Sequence, residues 1–554
     1  MYSQIAVVST IPWDSYLIRR RIWSYPPDAV LGPTLFSIPL EELFFFVIQT
    51  YDVSLLYIIF SRPTFYPAYL PHERPSSALK SVGPLVQVVF AASMWKGVHL
   101  IKNGGVGTYM GLIIIWAFPF LLLLWTLSHK FMLHIPTSNI LVPVLVPTFY
   151  LWLVDTFALR RGTWVIENGT KFGVHVWEGL DIEEAFFFLV TNMLVVFGQV
   201  AFDNAITIME AFPALFPNPA RYPSPIAAVK ALLLPESAFN SDRIEGFQQA
   251  VARLEKKSRS FYLASSAFSG RLRGDLILLY SFCRVADDLI DNSTDLEEAT
   301  NNIRLLKGFL DLSYPGDKET IQNKKRVIAY VEKVFPMGAW QALIQLPTAY
   351  LVQQPLYDLL RGFEMDLLFE KAVAGRGSWP ISTQHDLEEY GRCVASTVAD
   401  LCIELVFHHE APSTPMADQL RVREAGIQMG IALQIVNIAR DIQVDAALKR
   451  VYIPTEWLKA EGITPEDVLR QPQAPAITRI RMRLLDEAFR LYDATRGTIE
   501  ELPRSARGPM RVAVDSYMEI GRVLGQETYQ VKAGRATVPR LRRLKVAWRA
   551  LNTP

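Results

Sequence analysis

Apolar residues run in long blocks through residues 1–210 and give way beyond them to a polar chain of helical periodicity. A bilayer core of about 30 Å needs roughly 20 consecutive apolar residues per helix. Five stretches reach that length, 31–60, 82–101, 107–127, 138–158 and 180–207, and a shorter sixth, IAVVSTIPWDSYLI, precedes Arg19. Buried helices of a soluble core would give similar runs, but MGLIIIWAFPFLLLLWTL at 110–127 carries no charge, which favours a bilayer. The pattern predicts an all-α chain: a multi-pass transmembrane bundle over 1–210, then a helical domain over 243–554. Between them, 211–239 holds six prolines and no helical period, so 211–242 reads as a semi-rigid spacer.

Composition sharpens this division. A chain of 554 residues is too long for one ordinary core, and half of it is hydrophobic with only 20% charged residues. The net charge of +1 gives no reason to expect nucleic acid as a partner. Cys283, Cys393 and Cys402 form no CxxC pair and read as reduced core residues. The opening residues lack the basic, apolar, small-residue order of a secretory leader. GGVG at 104–107 lies between spans, and no strand-turn-helix glycine fingerprint follows, so no nucleotide cofactor is expected.

The apolar part contains an internal repeat. DSYLIRRRIW, Asp14 to Trp23, aligns with DTFALRRGTW, Asp155 to Trp164, at a shift of 141; PLEELFFF and DIEEAFFF align at 142. On the span count the copies lie four helices apart, and an even number preserves orientation. Both carboxylate pairs, Glu41–Glu42 and Glu183–Glu184, are therefore expected at one depth of a parallel repeat. The second copy has a full apolar helix ahead of it and the first has none, which reads as a shortened leading segment. Arginines fall on both sides of the bundle, so charge does not fix its orientation.

Carboxylates in such surroundings admit three readings: interfacial acids satisfied at helix N-termini, a proton- or cation-coupled transporter, or acid catalysis on an apolar substrate. A carboxyl group removed from water holds its proton more tightly, as a general acid must. An alkene protonated there would give a carbocation beside ring faces such as Phe44 to Phe46 and Phe186 to Phe188. The doubled glutamate and D-x4-RR-x2-W blocks resemble the membrane lycopene cyclases, two small subunits in some bacteria and a fused tandem in fungi. The resemblance covers about residues 1–210. It implies proton-initiated closure of the ends of lycopene to β-rings without net redox change, with Glu41, Glu42, Glu183 and Glu184 as candidates. The second motif departs from the first in carrying Asp181 where the first has Pro39.

In the helical domain, LILLYSFCRVADDLIDN sets Asp287 and Asp291 on one helix face, and LQIVNIARDIQVD sets Gln434, Asn437, Asp441 and Asp445 on another. Each aspartate pair repels itself, so a cation should compensate. Oxygen-only ligands suit Mg²⁺ or Mn²⁺, and Arg259, Arg284, Arg440 and Arg450 suit diphosphate oxygens. A single such pair usually marks only a solvated face; two, each with an adjacent arginine, do not.

KSRSFYLASSAF, YSFCRVADDLID, GFEMDL at 362–367, YGRCVASTVADL and QIVNIARDIQVD resemble the squalene and phytoene synthases, in that family's order. The resemblance covers about 245–550 and implies an all-α isoprenoid synthase fold around a deep apolar channel. By motif, Asp287, Asp291, Asp441 and Asp445 would hold the metal. Ser260, Phe261, Tyr280, Arg284, Gln434, Asn437 and Arg440 would contact diphosphate or line the channel, with Tyr390 and Val394 further in. Ser396 and Ala399 stand where the family carries glycines and are expected to narrow it.

Together the halves resemble the fungal fusion of a lycopene cyclase with a phytoene synthase. That implies geranylgeranyl diphosphate and lycopene-type carotenes as substrates, membrane lipid around the first half, and a synthase domain on the cytoplasmic side. The rival is a squalene synthase-like prenyltransferase carrying an anchor or a transporter. Phytoene must be desaturated before its ends can cyclise, so association with a separate desaturase is also expected.

Overall fold

The computed structural model describes residues 2–71, 77–167, 169–217, 223–314, 321–526 and 538–553. They form two compact units, Met1–Ile244 and Glu245–Pro554.

The first unit is a helical bundle. Its helices are α1 (Tyr2–Arg19), α2 (Leu40–Ser61), α3 (Ser77–Asn103), α4 (Thr108–His134), α5 (Ser138–Arg161), α6 (Ile182–Ala211) and α7 (Pro225–Leu232). Those from α2 to α6 are long and apolar enough to cross a membrane. α1, the shorter candidate, folds as a helix but does not meet that measure among the described residues. Large side chains such as Leu85, Trp95, Tyr150 and Phe157 point outward and stay exposed, as a lipid-facing surface requires. α3 and α4 approach closely at Gly97 and Gly111, where a Cβ on Gly111 would lie 2.8 Å from the Gly97 carbonyl oxygen.

Short strands decorate one end of the bundle and carry the repeat. β1 (Trp23–Ser24) follows α1 and β4 (Val165–Ile166) follows α5. The hairpin β2 (Thr34–Leu35) and β3 (Ile38–Pro39) precedes α2, and β5 (His175–Trp177) with β6 (Leu180–Asp181) precedes α6. β1 and β4 pair antiparallel, Trp23 opposite Ile166, as equivalent strands do across a two-fold rotation. Both carboxylate pairs thus open their helices at the same end. The 31–60 span is shorter than its apolar run: residues 34–39 turn through Phe36 and Ser37, both at positive φ, and Leu40 begins the helix. The proline-rich stretch also contains a helix that its periodicity hid. α7 starts where the Ser224 hydroxyl accepts from the Ala227 N–H with Pro225 in the first turn, and it packs on α6.

The second unit is helical throughout its described residues. It runs α8 (Ser241–Lys257), α9 (Arg259–Ser265), α10 (Gly270–Asp291), α11 (Leu296–Ser313), α12 (Ile321–Val334), α13 (Met337–Ile344), α14 (Gln354–Val373) and α15 (Gln384–Gly391). A π-helix, Arg392–Ser396, leads into α16 (Thr397–Glu410) and α17 (Met416–Ala447). Then come α18 (Thr455–Ala460), α19 (Pro465–Arg470), α20 (Pro475–Thr495), α21 (Arg504–Leu524) and α22 (Arg540–Asn552). The start of α15 is fixed by a reciprocal cap between Thr383 and Asp386, and that of α19 by Thr464 and Asp467. The core is one continuous cluster, with Phe282 on α10, Leu306 on α11, Leu360 on α14, Leu405 on α16, Ile435 on α17 and Leu484 on α20. Each such side chain contributes about 1.5–3 kcal/mol on burial.

Candidate active sites

A cavity of about 580 Å³ runs between α10, α14, α16, α17 and α21. Its deep wall is aliphatic and aromatic, with Leu279, Phe363, Val398, Ile438 and Val514. Its polar end gathers Asp287, Asp366, Asp441 and Asp445 against Arg284 and Arg450. Phe261, Tyr280, Tyr390, Val394, Gln434 and Asn437 all line it. Phe261 lies 6.1 Å from the Tyr280 ring and 6.2 Å from that of Tyr517. Asp291 and Arg440 stand behind the lining. Asp291 accepts from Arg450 Nη2 at 2.9 Å, and Arg440 Nε donates to Asp441 at 2.8 Å. Ser260 falls in α9, but its side chain lies outside the described residues.

The carboxylates are crowded. Burial, then the Asp291 charge, pushes Asp287 up to about 6, and burial with the neighbouring Asp441 pushes Asp445 up to about 8. These groups open onto the cavity yet sit far beneath the outer surface, so desolvation dominates. Asp288 is the exception. Its burial is outweighed by hydrogen bonds from Arg284 and Lys257, which hold it below the usual carboxylate range. Four carboxylates facing two guanidinium groups leave the mouth net negative, which would repel a diphosphate unless cations bridged the two.

Asp366 was not among the residues singled out by spacing, although GFEMDL contains it. It accepts from Tyr452 at 2.8 Å and from Tyr390 at 3.3 Å, the two rings stacked 4.8 Å apart. Burial pushes it up to about 6, against the opposing charge of Arg450. The signal was available in principle: an aspartate in an apolar helical stretch lying between the two acidic motifs.

The expected narrowing at Ser396 does not occur. Ser396 is 1% exposed and donates to the Ile427 carbonyl at 2.5 Å, turned toward α17 and away from the cavity. The π-helix shifts the register locally, so that Val394, Ala395, Val398 and Ala399 face the cavity instead. Gly430 makes room for it: a Cβ there would lie 2.6 Å from the Ser396 Cα.

The first unit holds a second constellation. Glu41 accepts from the Leu31 N–H at 2.6 Å and Glu183 from the Phe172 N–H at 2.7 Å, each tying the preceding loop to its helix. Glu42 and Glu184 accept instead from tyrosine hydroxyls, Tyr25 at 2.8 Å and Tyr109 at 2.5 Å. Asp14 and Asp155 of the repeat blocks are 0% and 1% exposed, and Asp155 lies beside the Trp164 side chain. The Glu42 charge acts on Asp14, Asp155 and Glu184, so the four acids form one cluster between the copies. Asp181, on its margin, is paired with Lys171 at 2.7 Å.

Aromatic rings close over this cluster. Trp13 stacks on Trp116 at 4.7 Å and on Phe187 at 5.4 Å, while Trp23 meets Phe187 and Tyr109 edge-on. Phe44 does not belong to the box; it points outward, 64% exposed. Of the two phenylalanine runs, Phe187 supplies the central ring. Asp14, Asp155, Tyr25 and Tyr109 were not singled out from sequence, although the aspartates opened the repeated blocks.

The comparisons with known proteins cover both units. The squalene/phytoene synthase family matches residues 254–542. The chain is similar to a bifunctional lycopene cyclase/phytoene synthase of Leptosphaeria maculans, 54% identical over 99% of this chain and 93% of that one. The namesake of Gibberella fujikuroi is 52% identical over the same shares. A crystal structure of a dehydrosqualene synthase in complex with ligand aligns with TM-score 0.42 at 22% identity, covering 55% of this chain and 95% of that one.

Proposed function

Because the chain belongs to the family of bifunctional lycopene cyclase/phytoene synthases, we propose a role in catalysis for each of its two clusters of acids. The enzyme is a carotenoid-forming prenyltransferase and isomerase on one chain. The second unit joins two geranylgeranyl diphosphates head to head through a cyclopropyl diphosphate to phytoene. The first cyclises lycopene ends to β-rings.

In the second unit, Asp287, Asp291, Asp441 and Asp445, with Asp366 between the motifs, would hold Mg²⁺ or Mn²⁺. The bound metal supplies positive charge to the diphosphate as its C–O bond ionises. Burial, with the neighbouring acids, raises Asp287, Asp366 and Asp445, and a divalent cation held there would offset that cost. Arg284 and Arg450 bind diphosphate oxygens once released from Asp287 and Asp291. Phe261, Tyr280 and the aliphatic wall exclude water from the allylic cation and hold the tails extended.

In the first unit, Glu42 donates the proton. Among the four clustered acids it alone keeps a partly exposed surface, although it lies deep in the bundle. Protonation of a terminal double bond yields a tertiary cation, attack by the neighbouring double bond closes the ring, and loss of a ring proton restores an alkene. One proton enters and one leaves, so the step needs no oxidant or reductant. The Glu42 carboxylate left by the first step takes back the departing proton, and the Trp13, Trp116 and Phe187 faces stabilise the cation. Glu41 and Glu183 serve as loop anchors.

The helices from α2 to α6 span a bilayer in this reading, with the second unit on the cytoplasmic side. A separate desaturase must act between the two activities, and we propose that it associates with this enzyme at the membrane. Purified protein in detergent should convert geranylgeranyl diphosphate with Mg²⁺ to phytoene and, separately, lycopene to a β-ring product. If lycopene is returned unchanged under conditions that yield phytoene, the cyclase assignment fails.

A further inference from the structure

The last helix of the second unit exposes an apolar stripe that the described residues leave largely uncovered. α22 packs on α21 through a narrow face, where Ala550 is buried and Arg542 pairs with Glu519. On its outer side Leu541, Leu544, Trp548 and Leu551 are 82%, 66%, 71% and 53% exposed. Their spacing of three, four and three puts them in one line along a helix. Single exposed apolar residues are ordinary, but a continuous line of four marks a surface that something covers.

The remaining residues of the helix identify the cover. α22 carries Arg540, Arg542, Arg543, Lys545 and Arg549 and no acid. Lys545 and Arg549 are exposed and border the stripe on one side. A tryptophan on the apolar line and cations beside it are what an amphipathic helix lying in a bilayer interface presents. We propose that α22 lies on an anionic lipid surface, with the Leu541–Leu551 line sunk among the acyl chains and Lys545 and Arg549 at the headgroups. The inference rests on the reading that the first unit spans a bilayer, to which the second unit is then tethered through the chain. It has a consequence for the synthase cavity. α21, which carries α22 on one side, contributes Met510, Val514 and Tyr517 to the cavity wall on another. A lipid-seated α22 therefore brings one wall of a hydrocarbon-making cavity next to the membrane that must receive its product.

The test uses the full chain in lipid nanodiscs with an environment-sensitive fluorophore at Leu541→Cys or, as control, at exposed Lys325→Cys on α12. The unsubstituted chain, labelled in parallel, corrects for the three native cysteines. In discs of about 30 mol% phosphatidylserine, acrylamide quenching at position 541 should fall at least about threefold below that at 325. Zwitterionic discs, or Lys545→Glu with Arg549→Glu, should remove most of that protection, while phytoene formation in detergent stays within about twofold and shows that the variant folds. Equal quenching at both positions in anionic discs overturns the proposal. So does protection indifferent to lipid charge and to the charge reversal, which would mean that a protein surface, of this chain or a second copy, covers the stripe. Failure of the first unit to insert would appear separately, as protein that does not co-elute with discs.

Discussion

Glu42 and Glu184 occupy equivalent positions in the two copies of the repeat and each accepts a hydrogen bond from a tyrosine, but the tyrosines are unrelated. Tyr25 lies in the connection after α1, whereas Tyr109 opens α4. The same carboxylate position is thus supported twice by different chain segments. Only Glu42 retains exposed surface. A general acid contributes about 10²–10⁴-fold, so Glu42→Gln should lower lycopene cyclisation at least about 100-fold. Glu41→Gln keeps an oxygen acceptor for the Leu31 N–H and should stay within about tenfold of the parent. Product analysis in a lycopene-accumulating host separates the two outcomes.

Asp366 bridges the two acidic motifs, since its charge acts on Asp287 and on Asp445. Asp366→Asn should reduce phytoene formation at least about 100-fold. Lycopene cyclisation by the same preparation should not change, and assay of both activities on one sample checks this.

Chelation should divide the enzyme in the same way. Removing divalent cations with EDTA is expected to abolish phytoene formation, with recovery on adding Mg²⁺ or Mn²⁺. Cyclisation, which draws on carboxyl protons alone, should continue in the chelator. Loss of both activities would contradict the division.

The Gly430–Ser396 contact makes two predictions about the channel. Gly430→Ala should destabilise the second unit by about 1–3 kcal/mol, read as a lower thermal midpoint, because the nearest atoms are backbone and cannot swing aside. Adding Ser396→Gly should not rescue it, since the Ser396 Cα and N remain. Ser396→Gly alone should leave the product unchanged, while Ala399→Phe, whose side chain enters the cavity, should block or shorten it.

Much of this was readable from one dimension. The apolar runs predicted the helices from α2 to α6; the doubled blocks predicted equivalent ends, and β1 and β4, which follow the two blocks, pair antiparallel. The acidic spacings predicted one helix face for each motif, and the family resemblance implied a channel between them; Asp287, Asp441 and Asp445 line one cavity end. α7 was missed because eight residues between prolines carry too little periodicity to register, and its helix depends on a cap and on packing against α6.

What the sequence determined by itself is whatever repeats at short range. Hydrophobic blocks set helix length, four-residue spacing sets a common face, and duplicated motifs set equivalent positions, because each follows from the geometry of a single helix. The tertiary structure alone decided which side chains meet from distant segments. It turned Ser396 toward Gly430, brought Asp366 between the two motifs, and gathered Asp14, Asp155, Glu42 and Glu184 into one cluster. These are questions of direction and desolvation, which arise only when helices pack and water is expelled between them.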